Sequence, residues 1–181
     1  VHDLTNWNAA TCTIVNPGYY CKIGGSVNTL YYFDNLPEGQ HQKAKMTIEH
    51  ETTAFSIAAG PVVRYDPTSS LGYALKLIPA GSSIELVKLD TGETLNVLDS
   101  GAFTFTAGVP TNYMLEAENV GADVKLSVYA ADMDTPIYTF TDVAPNGILQ
   151  NSNRVGALWQ FANAWVHEYE AWASNADILN T

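Results

Sequence analysis

The residues of this chain best suited to bond-breaking chemistry are two carboxylates near its end, Glu168 and Glu170. Hydrolysis of a glycosidic bond takes two carboxyl groups roughly 5–10 Å apart, one of them kept protonated. In the stretch W-V-H-E-Y-E, Glu168 and Glu170 alternate. On a strand they share one face, with Cα atoms about 6.5–7 Å apart. Glu49 and Glu51 flank His50 at the same spacing. The plainer reading of both pairs is a solvated strand face in an acidic protein, and it carries more weight. A polysaccharide lyase would need a His or Tyr base beside cations that neutralise a uronate, and a chain with eight Lys and Arg offers few.

Other chemistry is thinner. Asp132, Asp134 and Asp142 bracket one expected hairpin and Asp66 lies in a turn. They are hard oxygen donors of the kind calcium takes, although exposed turn carboxylates are usually just solvated. His2, His41, His50 and His167 are dispersed, which suits surface or core histidines better than metal ligands. No Gly-rich phosphate loop, H-E-x-x-H or G-x-S-x-G motif is present. Sugar binding needs aromatic faces for pyranose C–H groups, with amides and carboxylates for the hydroxyls. The segment Trp159-Gln160-Phe161-Ala162-Asn163-Ala164-Trp165 offers that mixture, though Trp is also a common core-filler of a sandwich.

Cys12 and Cys21 flank Asn16-Pro17-Gly18. Pro-Gly suits the centre of a type II turn, so a hairpin could bring the thiols near each other. A disulfide there would contribute about 2–3 kcal/mol and imply an oxidising compartment. The alternative is two reduced, half-buried thiols.

The elements that must position these groups are strands. At 181 residues, with 46% hydrophobic and 15% charged residues, the chain supports one sizeable core. Nineteen acidic residues against eight basic ones give a net charge of −11 and a pI near 4.5. Such a surface repels nucleic acid and anionic membranes, and no apolar run reaches membrane-spanning length. The chain begins at Val1 with no leader-like stretch, which reads as a processed or excised piece.

Residues 56–90 are the most legible stretch. Runs at 58–65, 72–78 and 84–89 are separated by D-P-T-S-S and P-A-G-S-S, an antiparallel meander. Tyr73, Leu75 and Leu77 oppose Lys76, and Val87 and Leu89 oppose Lys88, the alternation of strands with one wet face. Further strands are expected at 1–10 (anchored by Trp7), in a Cys hairpin at 11–23, and at 27–33 and 43–55. Others are expected at 94–98, 102–106, 113–118, 124–130, 137–141, 155–160 and 164–172, with 142–153 as loop. Along 43–55, Met46, Ile48 and His50 share one face. Lys76, Lys88, Glu116, Glu118 and Lys125 read as one cross-strand charge lattice. Turn signals at roughly eight- to twelve-residue spacing predict an all-β sandwich or barrel.

The order of these features resembles the concanavalin A-like, laminin-G-like jelly rolls. G-P-V-V-R-Y at 60–65 followed by G-Y-A-L at 72–75 is similar to their "G-x-x-x-R, then x-Y-x-L" strands. I-E-L-V-K-L with Thr91-Gly92 resembles the next strand and turn, and R-V-G-A-L at 154–158 the strand before the closing one. The resemblance covers about residues 44–172, preceded by N-terminal strands and the Cys hairpin in 1–43. It implies an all-β, two-sheet antiparallel jelly-roll sandwich filling 1–181 as one domain. In that topology Arg64, Tyr65 and Asp66 end a strand near the Trp159–Trp165 segment. The expected ligand contacts are therefore Arg64, Tyr65, Asp66, Trp159, Gln160, Asn163 and Trp165. Glycosidases of the fold carry E-x-D-x-x-E on one strand, and this sequence lacks the Asp and the third Glu.

The resulting expectation is a non-catalytic glycan-binding or adhesin domain on an extracellular or virion surface. It requires no cofactor, with calcium at Asp132, Asp134 and Asp142 as an option. The alternative is a structural or decoration protein bound to capsid or tail proteins, or a homo-oligomer such as a trimer. A hydrolase or lyase ranks last.

Overall fold

The structure, a computed structural model, describes residues 12–14, 21–23, 29–32, 41–54, 58–90, 94–152, 154–160 and 164–174. Its first strands are Cys12–Ile14 (β1), Cys21–Ile23 (β2), Thr29–Tyr32 (β3), His41–His50 (β4), Ala58–Asp66 (β5) and Leu71–Ile78 (β6). Ser83–Asp90 (β7), Thr94–Ala102 (β8), Thr111–Val120 (β9) and Asp123–Ala130 (β10) follow. Tyr138–Asp142 (β11), the short helix Gly147–Asn151 (α1), Arg154–Gln160 (β12) and Ala164–Ser174 (β13) complete the described chain.

Two antiparallel sheets result, one ordered β1-β2-β13-β4-β9-β10-β11 and the other β3-β12-β5-β6-β7-β8. β4 shows why they pack. Gln42, Ala44, Met46, Ile48 and His50 are buried and the residues between them are half-buried, so one face must meet a second layer. The main core joins Met46, Ile48, Leu115 and Leu126 of the first sheet to Tyr73, Leu75, Leu77 and Leu86 of the second.

The six-stranded sheet departs from the expected single wet face. Val62, Tyr65, Ala74, Val87, Leu89 and Leu158 form a second buried apolar cluster. These residues alternate with core residues such as Val63, Tyr73 and Ala157, so the sheet is apolar on both faces. No irregularity of β7 is needed for this, since its ladder with β6 runs unbroken from the Gly72/Leu89 pair to the Ile78/Ser83 pair. Ile84 and Leu86 face the main core and, by the two-residue period of the strand, Val87 and Leu89 face away from it.

Three boundaries also differ. Residues 94–102 form one strand, because Asp99-Ser100-Gly101 continues the ladder with β7 instead of turning. Gly101 is required there: a Cβ would lie 2.6 Å from the Tyr138 ring, which crosses from β11 to close this side of the sandwich. The expected loop at 142–153 contains α1, capped by Asn146, whose side chain accepts the Leu149 N–H at 3.1 Å. The strand expected at 43–55 ends at His50.

The expected charge lattice divides in three. Lys76 meets Glu85 at 2.9 Å on the six-stranded sheet. Lys88 reaches between the sheets to Asp142 at 2.7 Å. Only Glu116, Glu118 and Lys125 share a face of the seven-stranded sheet. Trp7 lies outside the described residues.

Candidate functional site

Alternation and register together build one polar face. On the seven-stranded sheet the residues of β4 pointing away from the core are His41, Lys43, Lys45, Thr47 and Glu49. β13 pairs with them so that Trp165 faces Glu49, Glu168 faces Thr47, Glu170 faces Lys45 and Trp172 faces Lys43. A bulge between Val166 and Glu168 inserts His167, whose Nε2 lies 2.8 Å from Glu49 Oε2. The bulge keeps Val166 against the core and still returns Glu168 to the outer face. On the other side β9 adds Asn112, Met114 and Glu116.

The charges on this face are paired. Lys45 Nζ lies 3.0 Å from Glu170 and 3.5 Å from Glu168. Burial works against its ammonium, but the contacts with Glu170 and then Glu168 outweigh it and hold its pKa above the usual lysine value. Thr47 Oγ1 donates to Asn112 Oδ1 at 2.7 Å. Glu116 collects three donors: Tyr129 Oη at 2.7 Å, Lys43 Nζ at 3.0 Å, and His41. Burial would raise its pKa, and the Tyr129, His41 and Lys43 contacts reverse that, leaving the carboxyl below its ordinary range.

At one end of the face, His41, Lys43, Met114, Trp172 and Ala173 line a recess of about 330 Å³. Trp172 is 47% exposed, unusual for an indole that could have filled a core. An indole and a thioether beside an ammonium–carboxylate pair can hold an amphipathic ligand, stacking its apolar face and hydrogen-bonding its hydroxyls.

Of the expected ligand contacts whose side chains are described, Trp165 alone is found on this face. Arg64 is interior, 1% exposed. Its guanidinium donates to Gln150 O at 2.8 Å and to Asn119 Oδ1 at 3.0 Å. Burial lowers its pKa to about 10. Tyr65 belongs to the second apolar cluster, and Asp66 closes its own turn by accepting from Thr68 N, Ser69 N and Ser69 Oγ. The antiparallel register also separates the two halves of the expected site. Tyr65 pairs with Arg154 at one end of β12, whereas Trp159 pairs with Ala59 near the other. The side chains of Trp159 and Gln160, and all of Asn163, lie outside the described residues.

The carboxylates fare differently from one another. Glu168 and Glu170 do share a face, but a lysine ammonium lies between them where a glycosidase leaves room for substrate. Asp132 and Asp134 sit together in the loop after β10, where Asp132 Oδ1 accepts the Asp134 N–H at 2.9 Å. Asp142 is at the other end of β11, opposite Val124, and accepts from Tyr73 Oη and Lys88 Nζ. Among the described residues no group of three or more His, Cys, Asp or Glu is placed to hold a metal. In the β1–β2 hairpin Cys12 pairs with Ile23 and Cys21 with Ile14, two places apart on the ladder, and their side chains lie outside the described residues.

The sequence reading missed Trp172, Lys43, Lys45 and Met114. The signal was available as alternation in H-Q-K-A-K-M-T-I-E and W-V-H-E-Y-E-A-W, but only the β4–β13 register joins the two into one surface.

By sequence, no protein family and no curated protein matches the chain. Solved structures do. The carbohydrate-binding module CBM66 from Bacillus subtilis superposes with a TM-score of 0.66 at 14% identity, over 93% of this chain and 96% of that one. The exoplasmic/lumenal domain of VIP36, in its Ca2+/Man-bound form, superposes at 0.59 with 8% identity, over 95% and 84%. A legume lectin-like domain from Entamoeba histolytica superposes at 0.55 with 9% identity, over 94% and 91%. The chain has a concanavalin A-like jelly-roll fold. At these identities the likeness is one of fold, and the concanavalin A-like scaffold leaves function to the residues on its faces.

Proposed function

We propose that this chain is a non-catalytic glycan-binding domain, displayed on an extracellular or virion surface, whose ligand lies on the outer face of the seven-stranded sheet. The observation that carries the reading is Trp172, half out of the protein beside a recess lined by Met114 and by Lys43, whose ammonium pairs with Glu116. A sugar ring has the matching chemistry, one apolar C–H face and a rim of hydroxyls. The structural likeness to a carbohydrate-binding module and to a mannose-bound domain supports it. The Lys45 ammonium between Glu168 and Glu170 supports a binding role over hydrolysis. Calcium is assigned no part.

The test is a glycan array run with wild type and Trp172→Ala, each with calcium and with chelator. Specific binding lost in Trp172→Ala is the expected result. A blank wild-type array overturns the reading and turns attention to an assembly role, read by oligomeric state. Release of reducing ends from a bound glycan would overturn the non-catalytic part.

A further inference from the structure

Trp165 and Trp172 stand on the same face of β13, opposite Glu49 and Lys43 of β4. Those partners are six residues apart on a regular strand, about 20 Å, a length that spans roughly four sugar rings laid end to end. The face between the two indoles carries Glu168, Glu170, Lys45, Thr47 and Asn112, groups that exchange hydrogen bonds with hydroxyls.

Charge narrows the ligand. Lys43, Lys45, Lys76, Lys88 and Lys125 each lie within 4.0 Å of a carboxylate oxygen, the first two of them on this face. Neither ammonium is left to neutralise an anionic ligand. The face adds Glu49, Glu116, Glu168 and Glu170, in a chain of net charge −11. With these four carboxylates against the two lysines, a uronate or sulfate laid here would meet a surface of net negative charge.

We infer that the face between Trp165 and Trp172 is a track for an extended, uncharged oligosaccharide, with one indole under each end. This rests on the glycan-binding reading above and adds chain length and charge to it. A ligand of one or two sugars reaches only one indole. A longer one reaches both, and gains the second contact without a second loss of translational freedom.

The experiment is titration calorimetry of the whole chain with neutral cello-, xylo- and manno-oligosaccharides of two to six units, and with oligogalacturonates of the same lengths. Affinity for a neutral series is expected to rise to about four or five units and then level off, by about tenfold or more, while the oligogalacturonates bind far more weakly. Trp165→Ala and Trp172→Ala are each expected to weaken the hexamer about tenfold, and only one of them to weaken the dimer. Trp172 is half exposed and belongs to neither core cluster, so its variant is expected to keep the fold, and the wild-type length series tests the inference with no variant at all. Equal affinity for dimer and hexamer, or oligogalacturonates binding as tightly as neutral chains, overturns this inference while leaving glycan binding standing. Failure of every oligosaccharide to bind removes both.

Discussion

The side-chain carbonyl of Gln42 accepts the backbone N–H of Arg64 at 2.9 Å, across the interior from one sheet to the other. Arg64 sits at φ 56°, a left-handed conformation that costs a non-glycine residue about 1 kcal/mol or more. The contact turns that irregularity into a fastening. Gln42 Nε2 also donates to Ser152 O at 2.8 Å, so one amide ties β4 to β5 and to the end of α1. Gln42→Ala leaves the buried Arg64 N–H and the half-buried Ser152 carbonyl without these partners. It is expected to lower unfolding free energy by about 2–4 kcal/mol in urea melts. A loss under about 0.5 kcal/mol would show that the fastening is dispensable.

Asp142 is the second fastening between sheets. Tyr73 Oη donates to its Oδ2 at 2.6 Å and Lys88 Nζ at 2.7 Å. Burial first, and then this bond, push the Tyr73 phenol well above its ordinary pKa. Tyr73→Phe is expected to cost about 1–2 kcal/mol and Lys88→Met about 1–3 kcal/mol. Because both act on one oxygen, the double variant should lose less or more than the sum, which a thermodynamic cycle measures.

His50 makes stability depend on pH. It is 1% exposed, neither ring nitrogen has a hydrogen-bond partner, and the ring meets Phe105 edge-on at 5.3 Å. Burial lowers its pKa from 6.5 to about 4. The unfolded chain therefore takes up a proton at this residue below pH 6.5 that the folded chain refuses until about pH 4. Stability is full above that window and falls as pH drops through it, by about 3 kcal/mol. His50→Phe is expected to flatten the difference between melts at pH 7 and pH 4.5 and to leave stability at pH 7 unchanged or higher. An unchanged pH profile in the variant would assign the effect to other groups.

Two glycines mark close approaches of unequal severity. A Cβ on Gly60 would lie 2.4 Å from the Leu75 carbonyl oxygen, which is backbone, whereas one on Gly101 meets the Tyr138 ring. Gly60→Ala is expected to cost about 3 kcal/mol or more and Gly101→Ala about 1–3 kcal/mol, read by thermal unfolding. The reverse order would mean that β5 and β6 separate more easily than Tyr138 moves.

What the sequence determined by itself was that the chain is built of strands and, where alternation is regular, which residues share a face. Alternation over residues 41–50 and 124–130 is local, set by the two-residue period of a strand, so it can be read without knowing any partner. The two-sheet fold followed, because many one-faced strands have to stack. Where alternation fails locally, at Arg64 between Val63 and Asp66, the reading failed too, since an irregular residue changes which face the next side chains take. Only the tertiary structure decided which strands are neighbours. Pairing β13 with β4 gathers Trp165, Glu168, Glu170 and Trp172 with Lys43 and Lys45, residues more than a hundred positions apart. The antiparallel run of β5 and β12 sends Arg64–Asp66 to the end opposite Trp159. Register is fixed by non-local hydrogen bonds and core fit, and a single sequence carries no local trace of either.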